Sequence, residues 1–138
     1  MAQRWLVKTE PSVYSFQRLQ QERRTVWDGV VNPLALKHLS QMRRGDHVVV
    51  YHTGNEKAAV GLAHVVKDAY PDPTRKSDKL VVVDLAADRP LARSVSLAEI
   101  KADPRFADFE LVRLPRLSVV PMSAAHWSAL EALSKTER

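Results

Sequence analysis

Residues 27–35 have the sequence Trp27-Asp28-Gly29-Val30-Val31-Asn32-Pro33-Leu34-Ala35. Asn32 is a good N-cap because its side-chain oxygen accepts a hydrogen bond from a free helix amide, and proline suits the first helical position. Gly29 permits the tight backbone of a corner. The segment therefore predicts that Trp27 sits on a rigid corner before a helix. There it either offers a platform to a flat ligand or plugs the core, and the segment alone favours neither.

Four further segments extend this pattern along the chain: Trp5-Leu6-Val7-Lys8-Thr9-Glu10-Pro11-Ser12-Val13-Tyr14-Ser15-Phe16, Gly45-Asp46 to Tyr51-His52, Ala69-Tyr70-Pro71-Asp72-Pro73-Thr74 and Arg116-Leu117-Ser118-Val119. Together with the corner they resemble the EVE domain family, which belongs to the PUA-like superfamily and is related to the YTH readers of methylated adenine. The resemblance is collinear from about Arg4 to the last predicted helix. We therefore expect a single EVE domain over residues 1–138.

Length and composition are those of one ordinary globular domain. The chain has 138 residues and no cysteine, which excludes disulfides, thiolate metal sites and a cysteine nucleophile. Its histidines lack metal-ligand spacing, the N-terminus has no signal-peptide pattern, and no apolar run reaches membrane-spanning length. We expect a cytoplasmic protein without metal, cofactor or membrane contact. A net charge of +5 and a pI near 9.7 favour an anionic partner.

The periodicity predicts an α+β fold with short helices inserted between strands. Strands are predicted at Arg4–Glu10, His47–His52, Ala58–Lys67, Lys79–Leu85, Phe109–Leu114 and Leu117–Val120, and a loop at Tyr70–Asp78. Capping patterns predict helices after Ser15, Asn32, Ser96 and Ser123. Five or six strands with inserted helices indicate a small, partly closed barrel, as the PUA-like resemblance also implies. Trp5 and Trp127 lie on apolar faces and are predicted to be core residues.

Lys8, Thr9 and Glu10 are adjacent in the first predicted strand. Lys8 and Glu10 point to one face of an extended strand and Thr9 to the other. The amine and the carboxylate can form a weak surface ion pair or hydrogen-bond a base edge. The three residues also look like the Lys-Thr-Glu set of some amidohydrolases in the PUA-like ASCH group. Because three consecutive strand residues do not face one substrate, catalysis is the alternative and binding the main interpretation.

The family resemblance implies a ligand pocket. Trp27 would supply a stacking face and Tyr51 or Tyr14 a second aromatic wall. His52 is expected at the pocket rim, where it would exchange a hydrogen bond with the ligand. Arg116 would line the pocket or serve as a structural partner of Glu10 or Asp28. The predicted binding residues are Lys8, Thr9, Glu10, Tyr14, Ser15, Trp27, Asn32, Tyr51, His52, Pro71, Asp72, Arg116 and Ser118.

The sequence thus favours a non-catalytic module that recognises a modified, methylated base of DNA or RNA in an aromatic pocket. The target base would leave its stack and insert between aromatic side chains. Two alternatives stay open: an amidohydrolase that uses Lys8, Thr9 and Glu10, and a module that binds a small molecule or a protein. A panel of modified oligonucleotides and acylated nucleosides separates them, and nucleic-acid affinity should fall with salt only for the reader.

Val31 generates a prediction, because the EVE family usually has arginine at this position. Arginine before the helix-capping Asn32 would be placed to pair with a phosphate, which valine does not do. We expect Val31→Arg to steepen the slope of log affinity against log salt by roughly 0.7–0.9 units, with the base preference unchanged. Titrations of both proteins at several salt concentrations check this. An unchanged slope with a new ranking of modified bases would contradict it.

Overall fold

The computed structural model describes residues 2–75 and 79–136. Its strands are β1 Arg4–Thr9, β2 Arg24–Trp27, β3 His47–His52, β4 Ala58–Pro71, β5 Val81–Ser96 and β6 Val119–Met122. Its helices are α1 Phe16–Glu22, α2 Pro33–Ser40, α3 Leu97–Ala102, α4 Glu110–Arg113 and α5 Ala124–Ser134, with a 3-10 turn at Pro104–Phe106. The predicted α+β class is confirmed.

The six strands form one mixed sheet in the order β2-β5-β4-β3-β1-β6. β1 runs parallel to β3, and all other neighbouring strands are antiparallel. β2 and β6 are the edges, so the hydrogen-bonded sheet is not closed. Both α2 and α5 contact β5 as well as β6, which lie far apart in the strand order, so the sheet is strongly curved. This open, curled sheet is consistent with the predicted PUA-like fold.

Four helices begin where side-chain capping predicted. The Ser15 and Asn32 side chains accept hydrogen bonds from free amides at the starts of α1 and α2. Ser96 and Ser123 form capping boxes at the starts of α3 and α5. Because a cap satisfies amides within its own first turn, these starts depend on local sequence alone.

The strand predictions fail in four places, the first of which is β2 Arg24–Trp27, a strand that was not predicted. Phe109–Leu114 is not a strand: it contains α4, in which Leu114 N donates to the Glu110 carbonyl. β4 continues to Pro71, so Tyr70 and Pro71 belong to a strand and not to the predicted loop, whose residues 76–78 lie outside the described chain. β5 extends eleven residues past Leu85 to Ser96 and includes Pro90, because register shifts between β4 and β5 accommodate the irregular sequence.

The two tryptophans predicted as core residues differ. Trp5 is buried in the main hydrophobic cluster, as predicted. Trp127 is only partly buried, and its Nε1 donates to the Glu131 carboxylate at 2.9 Å. The neighbouring His126 is the more deeply buried side chain, and its ring packs against Phe109 with centroids 4.7 Å apart. The core prediction for Trp127 is therefore wrong in degree.

Within the described residues, no helix has the length and apolarity needed to cross a membrane. The cytoplasmic location expected from the sequence stays a prediction.

Asp46 ties the start of β1 to the turn between α2 and β3. Its carboxylate is buried and accepts hydrogen bonds from Gln3 N at 2.9 Å, Trp5 Nε1 at 2.9 Å and Arg43 N at 3.0 Å. The Asp46 carbonyl also accepts from Val65 N of β4. One residue thus links β1, β3 and β4 at the sheet end where β1 begins.

We expect Asp46→Ala to lower the free energy of unfolding by about 3 kcal/mol or more, because it leaves buried donors without an acceptor. Urea denaturation measures the loss. Asp68→Ala is the matched control, since Asp68 accepts one amide bond from Arg44 in the same turn region but is exposed. The control should lose less than about 1.5 kcal/mol, the value of an ordinary hydrogen bond. Equal losses in the two variants would contradict the role assigned to Asp46.

Candidate functional site

A cleft of about 570 Å³ opens at the C-terminal end of β1, between α1, β2 and the segment that leads into α2. Its volume lies in the range of ligand pockets, roughly 300–1,000 Å³. The residues that line it are Lys8, Thr9, Val13, Tyr14, Arg18, Glu22, Thr25, Val26, Trp27, Asp28, Gly29, Val30, Val31, Asn32 and Ser118.

The predicted corner forms one wall of this cleft. β2 ends at Trp27, and Gly29 turns the chain with a φ of 80°, a left-handed conformation that other residues rarely adopt. The Asn32 side-chain oxygen then accepts hydrogen bonds from Leu34 N and Ala35 N, both at 3.0 Å, and α2 begins. The turn and the cap fix the backbone on both sides of residues 28–31, and the buried Val30 side chain anchors the segment in the main hydrophobic cluster.

Trp27 belongs both to the core and to the cleft. Its side chain is buried, with 7% exposed, and is part of the main hydrophobic cluster. The remaining exposed surface lines the cleft, where its ring meets the Tyr14 ring edge-on, with centroids 6.1 Å apart. The core interpretation of Trp27 is therefore confirmed, its role as a platform for a ligand stays a prediction, and substitution of Trp27 would affect stability as well as any binding.

Side chains of α1 fix the position of the Tyr14 side chain. Its hydroxyl donates to Glu22 Oε1 at 2.7 Å, and the Arg18 guanidinium lies 5.1 Å from its ring centroid. Arg18 Nε in turn donates to Glu22 Oε2 at 3.1 Å. Burial raises the pKa of the Tyr14 hydroxyl, so it stays a neutral donor at physiological pH. Tyr14, not Tyr51, is thus the second aromatic residue of the cleft.

Lys8 and Thr9 both reach the cleft because it lies where β1 ends. Lys8 Nζ donates to the Pro115 carbonyl at 2.8 Å and lies 5.8 Å from the Tyr51 ring centroid. Burial lowers the pKa of the Lys8 ammonium from its usual value. The Thr9 hydroxyl donates to the Tyr14 carbonyl at 2.6 Å, which leaves its oxygen lone pairs for an incoming donor.

Seven of the predicted binding residues do not line the cleft: Glu10, Ser15, Tyr51, His52, Pro71, Asp72 and Arg116. A binding role for each of them stays a prediction, but their positions differ from the expected one.

His52 is buried beneath α1 and is not at the rim. Its Nε2 accepts from Phe16 N at 3.0 Å, and its Nδ1 lies 3.0 Å from Glu56 Oε1. Both ring nitrogens are therefore engaged within the protein. Tyr51, with 3% of its side chain exposed, is also a core residue. The sequence did not reveal the burial of His52 because the α1 segment that covers it is distant in the chain.

Asp72 caps its own turn. One carboxylate oxygen accepts from Thr74 N and Thr74 Oγ1, and the other accepts from Arg75 Nε at 2.6 Å. These bonds lower the pKa of Asp72 to about 2. The Ala69–Thr74 motif is therefore explained by a structural turn at the end of β4.

Glu10, Ser15 and Arg116 are separated from the cleft for local reasons. The Glu10 carboxylate accepts from Ser12 N and Ser12 Oγ, at 2.8 and 2.7 Å. The Ser15 hydroxyl caps α1. Arg116 lies in a turn and forms no ion pair with Glu10 or Asp28 in the described structure. Lys8, Thr9 and Glu10 thus do not converge on one point of the cleft.

The cleft also contains residues that were not predicted to bind. Asp28 is exposed there and makes no hydrogen bond among residues 2–75 and 79–136. Arg18 and Glu22 reach the cleft from the exposed face of α1. Asp28 follows the predicted corner directly, so its position in the sequence was a usable signal. The charged face of α1 gave none, since it looks like an ordinary solvated helix surface.

The chain belongs to the EVE domain family, whose model matches residues 3–133. An NMR structure from Rhodopseudomonas palustris is 43% identical and superimposes with a TM-score of 0.91 over 96% of this chain and 93% of that one. Human thymocyte nuclear protein 1 is 28% identical over 99% of this chain and 76% of its own length. A crystal structure of human THYN1 in complex with 5-methylcytosine-containing DNA is 29% identical, with a TM-score of 0.84 over 99% of this chain and 100% of that one.

The buried position of Trp27 determines what its removal should do. We expect Trp27→Ala to lower the free energy of unfolding by roughly 3–5 kcal/mol, as for other buried aromatic residues. Trp27→Phe keeps an aromatic ring in the cluster and should lose clearly less. Urea denaturation of both variants measures the difference. A Trp27→Ala variant as stable as the parent would show that the ring is not part of the core.

Proposed function

We propose that this protein is a non-catalytic reader of a methylated base in nucleic acid, and that 5-methylcytosine in DNA is its first candidate ligand. The observation that carries the proposal is the cleft itself, where two aromatic rings stand beside hydrogen-bonding groups that are already held in place. The structure of a related human protein with 5-methylcytosine-containing DNA supports the choice of ligand.

The aromatic residues supply the gain that base insertion requires. Extruding a base from a duplex costs a few kcal/mol, and stacking on an aromatic side chain recovers about 1–3 kcal/mol. Trp27 and Tyr14 meet at an interplanar angle of 87°, so a base stacked on one ring meets the other edge-on. Because packing and hydrogen bonds already fix both side chains, little conformational entropy is lost on binding.

The polar groups match the edge of a cytosine. Asn32 uses its side-chain oxygen to cap α2, which leaves the amide nitrogen as a donor toward the cleft. Lys8 supplies a second donor, and the exposed Asp28 carboxylate an acceptor. Cytosine presents an exocyclic amine next to acceptor atoms, and carboxylates commonly accept from that amine. This proposal assigns base-edge contacts to Lys8, Asn32 and Asp28.

The methyl preference would come from apolar contacts. Val26 and Val31 are exposed at the cleft, with 45% and 66% of their side chains accessible. Burying one methyl group contributes about 0.8 kcal/mol, which corresponds to about a fourfold higher affinity for the methylated base. We therefore expect a methyl preference of about this size.

Fluorescence anisotropy with cytosine- and 5-methylcytosine-containing oligonucleotides tests the proposal, and Asn32→Asp is the informative variant. Aspartate caps a helix as well as asparagine but lacks the amide donor. We therefore expect unchanged thermal stability and a loss of affinity of about 5- to 150-fold, the equivalent of 1–3 kcal/mol for a base-edge pair.

Asn55→Asp is the matched control, because it makes the same chemical change in an exposed hairpin turn that does not line the cleft. It should bind like the parent. The proposal is wrong if the parent does not distinguish methylated from unmethylated oligonucleotides, or if both variants lose affinity equally. Affinity for nucleosides without any salt-dependent affinity for oligonucleotides would indicate a small-molecule-binding module instead.

A further inference from the structure

The large apolar side chains that stay exposed are grouped on one face of the protein. Among the described residues they are Val13, Val26, Val31, Leu34 and Leu114, each with at least 40% of its side chain accessible. The three valines line the cleft. The two leucines line a second groove. Exposed apolar groups concentrated in one region mark an interaction surface more often than scattered ones do.

This second groove has a volume of about 410 Å³ and lies between the start of α2 and residues 113–117. It is continuous with the cleft in two ways. Asn32 lines both. Lys8, which lines the cleft, donates from Nζ to the carbonyl of Pro115, which lines the groove. An extended ligand that leaves the cleft beside Asn32 would therefore enter the groove directly.

Two arginines stand on the groove. Arg113 is the last residue of α4, and Arg116 lies in the turn directly after Pro115. Both residues are exposed. In the part of the chain that the structure describes, neither guanidinium has a hydrogen bond or ion pair. Two exposed arginines that form no ion pair among the described residues, beside Leu34 and Leu114, offer charge to phosphates and apolar surface to sugars and bases.

We infer that the groove between the start of α2 and residues 113–117 binds the nucleotides adjacent to the inserted base. Arg113 and Arg116 pair with backbone phosphates, while Leu34 and Leu114 contact the sugar and base faces. This inference rests on the proposed function of the cleft and adds the path of the strand. It identifies the occupant as a nucleic-acid strand, because the charge of the groove is positive and it opens from the site where the base is held.

The test compares two ligands that differ only in phosphates: the nucleoside 5-methyl-2′-deoxycytidine and a single-stranded oligonucleotide with one central 5-methylcytosine. The variant is Arg113→Gln with Arg116→Gln. We expect its oligonucleotide affinity to fall and the slope of log affinity against log salt to flatten by roughly 1.4 units, since each lost phosphate contact on a single strand removes roughly 0.7 units. Its affinity for the nucleoside, and its ratio of methylated to unmethylated binding, should not change.

Arg44→Gln with Arg89→Gln is the matched control. It removes the same charge from exposed arginines near the sheet end where β1 and β3 begin, away from the cleft. Leu114→Asn completes the set, and it should weaken oligonucleotide binding without changing the salt slope. If the two arginine double variants have equal salt slopes, the inference about the groove is wrong. An intact methyl preference in that case would still support the proposed function. A parent protein without methyl preference but with the groove-dependent slope overturns only the proposed function, and no oligonucleotide binding at all overturns both.

Discussion

The buried carboxylate of Asp46 is the constraint on which the arrangement of the sheet depends. It accepts donors from Gln3, Trp5 and Arg43, and so fixes where β1 begins relative to the turn before β3. β1 and β3 are parallel neighbours, and parallel strands require a long crossover between them. That crossover contains α1, β2 and α2, which are the elements that surround the end of β1. Because Asp46 fixes the start of β1, it also constrains where α1, β2 and α2 pack around the end of β1.

The cleft is constructed from residues that already have structural roles. Asn32 caps α2 with one side-chain atom and presents the other, and Trp27 fills the core with most of its ring while exposing a small part. Tyr14 is held by Glu22. Groups fixed in this way need little reorganisation when a ligand arrives, which favours affinity and specificity. Because these residues also have structural roles, a substitution at one of them is hard to interpret unless it preserves that role.

Local sequence signals predicted the local features well. Helix caps at Ser15, Asn32, Ser96 and Ser123 and the strand His47–His52 could be identified because each depends on neighbours within a few residues. The predictions fail where tertiary packing outweighs the local hydrophobic pattern of the sequence. Residues 109–114 look like a strand but form a helical turn whose Phe109 and Leu111 fill the core. β5 passes through Pro90 because bulges in its pairing with β4 absorb the irregularity.

The sequence by itself determined the family, the α+β class and the corner at Trp27–Asn32, since these follow from motifs and from backbone preferences over short distances. Only the tertiary structure decided which motif residues share a cleft. Tyr51 and His52 end a strand beside Lys8 and Thr9 in register, yet α1 covers His52 through Phe16 N while β1 ends at the open cleft. Burial depends on what packs over a residue, and the covering element lies more than thirty residues away in the chain.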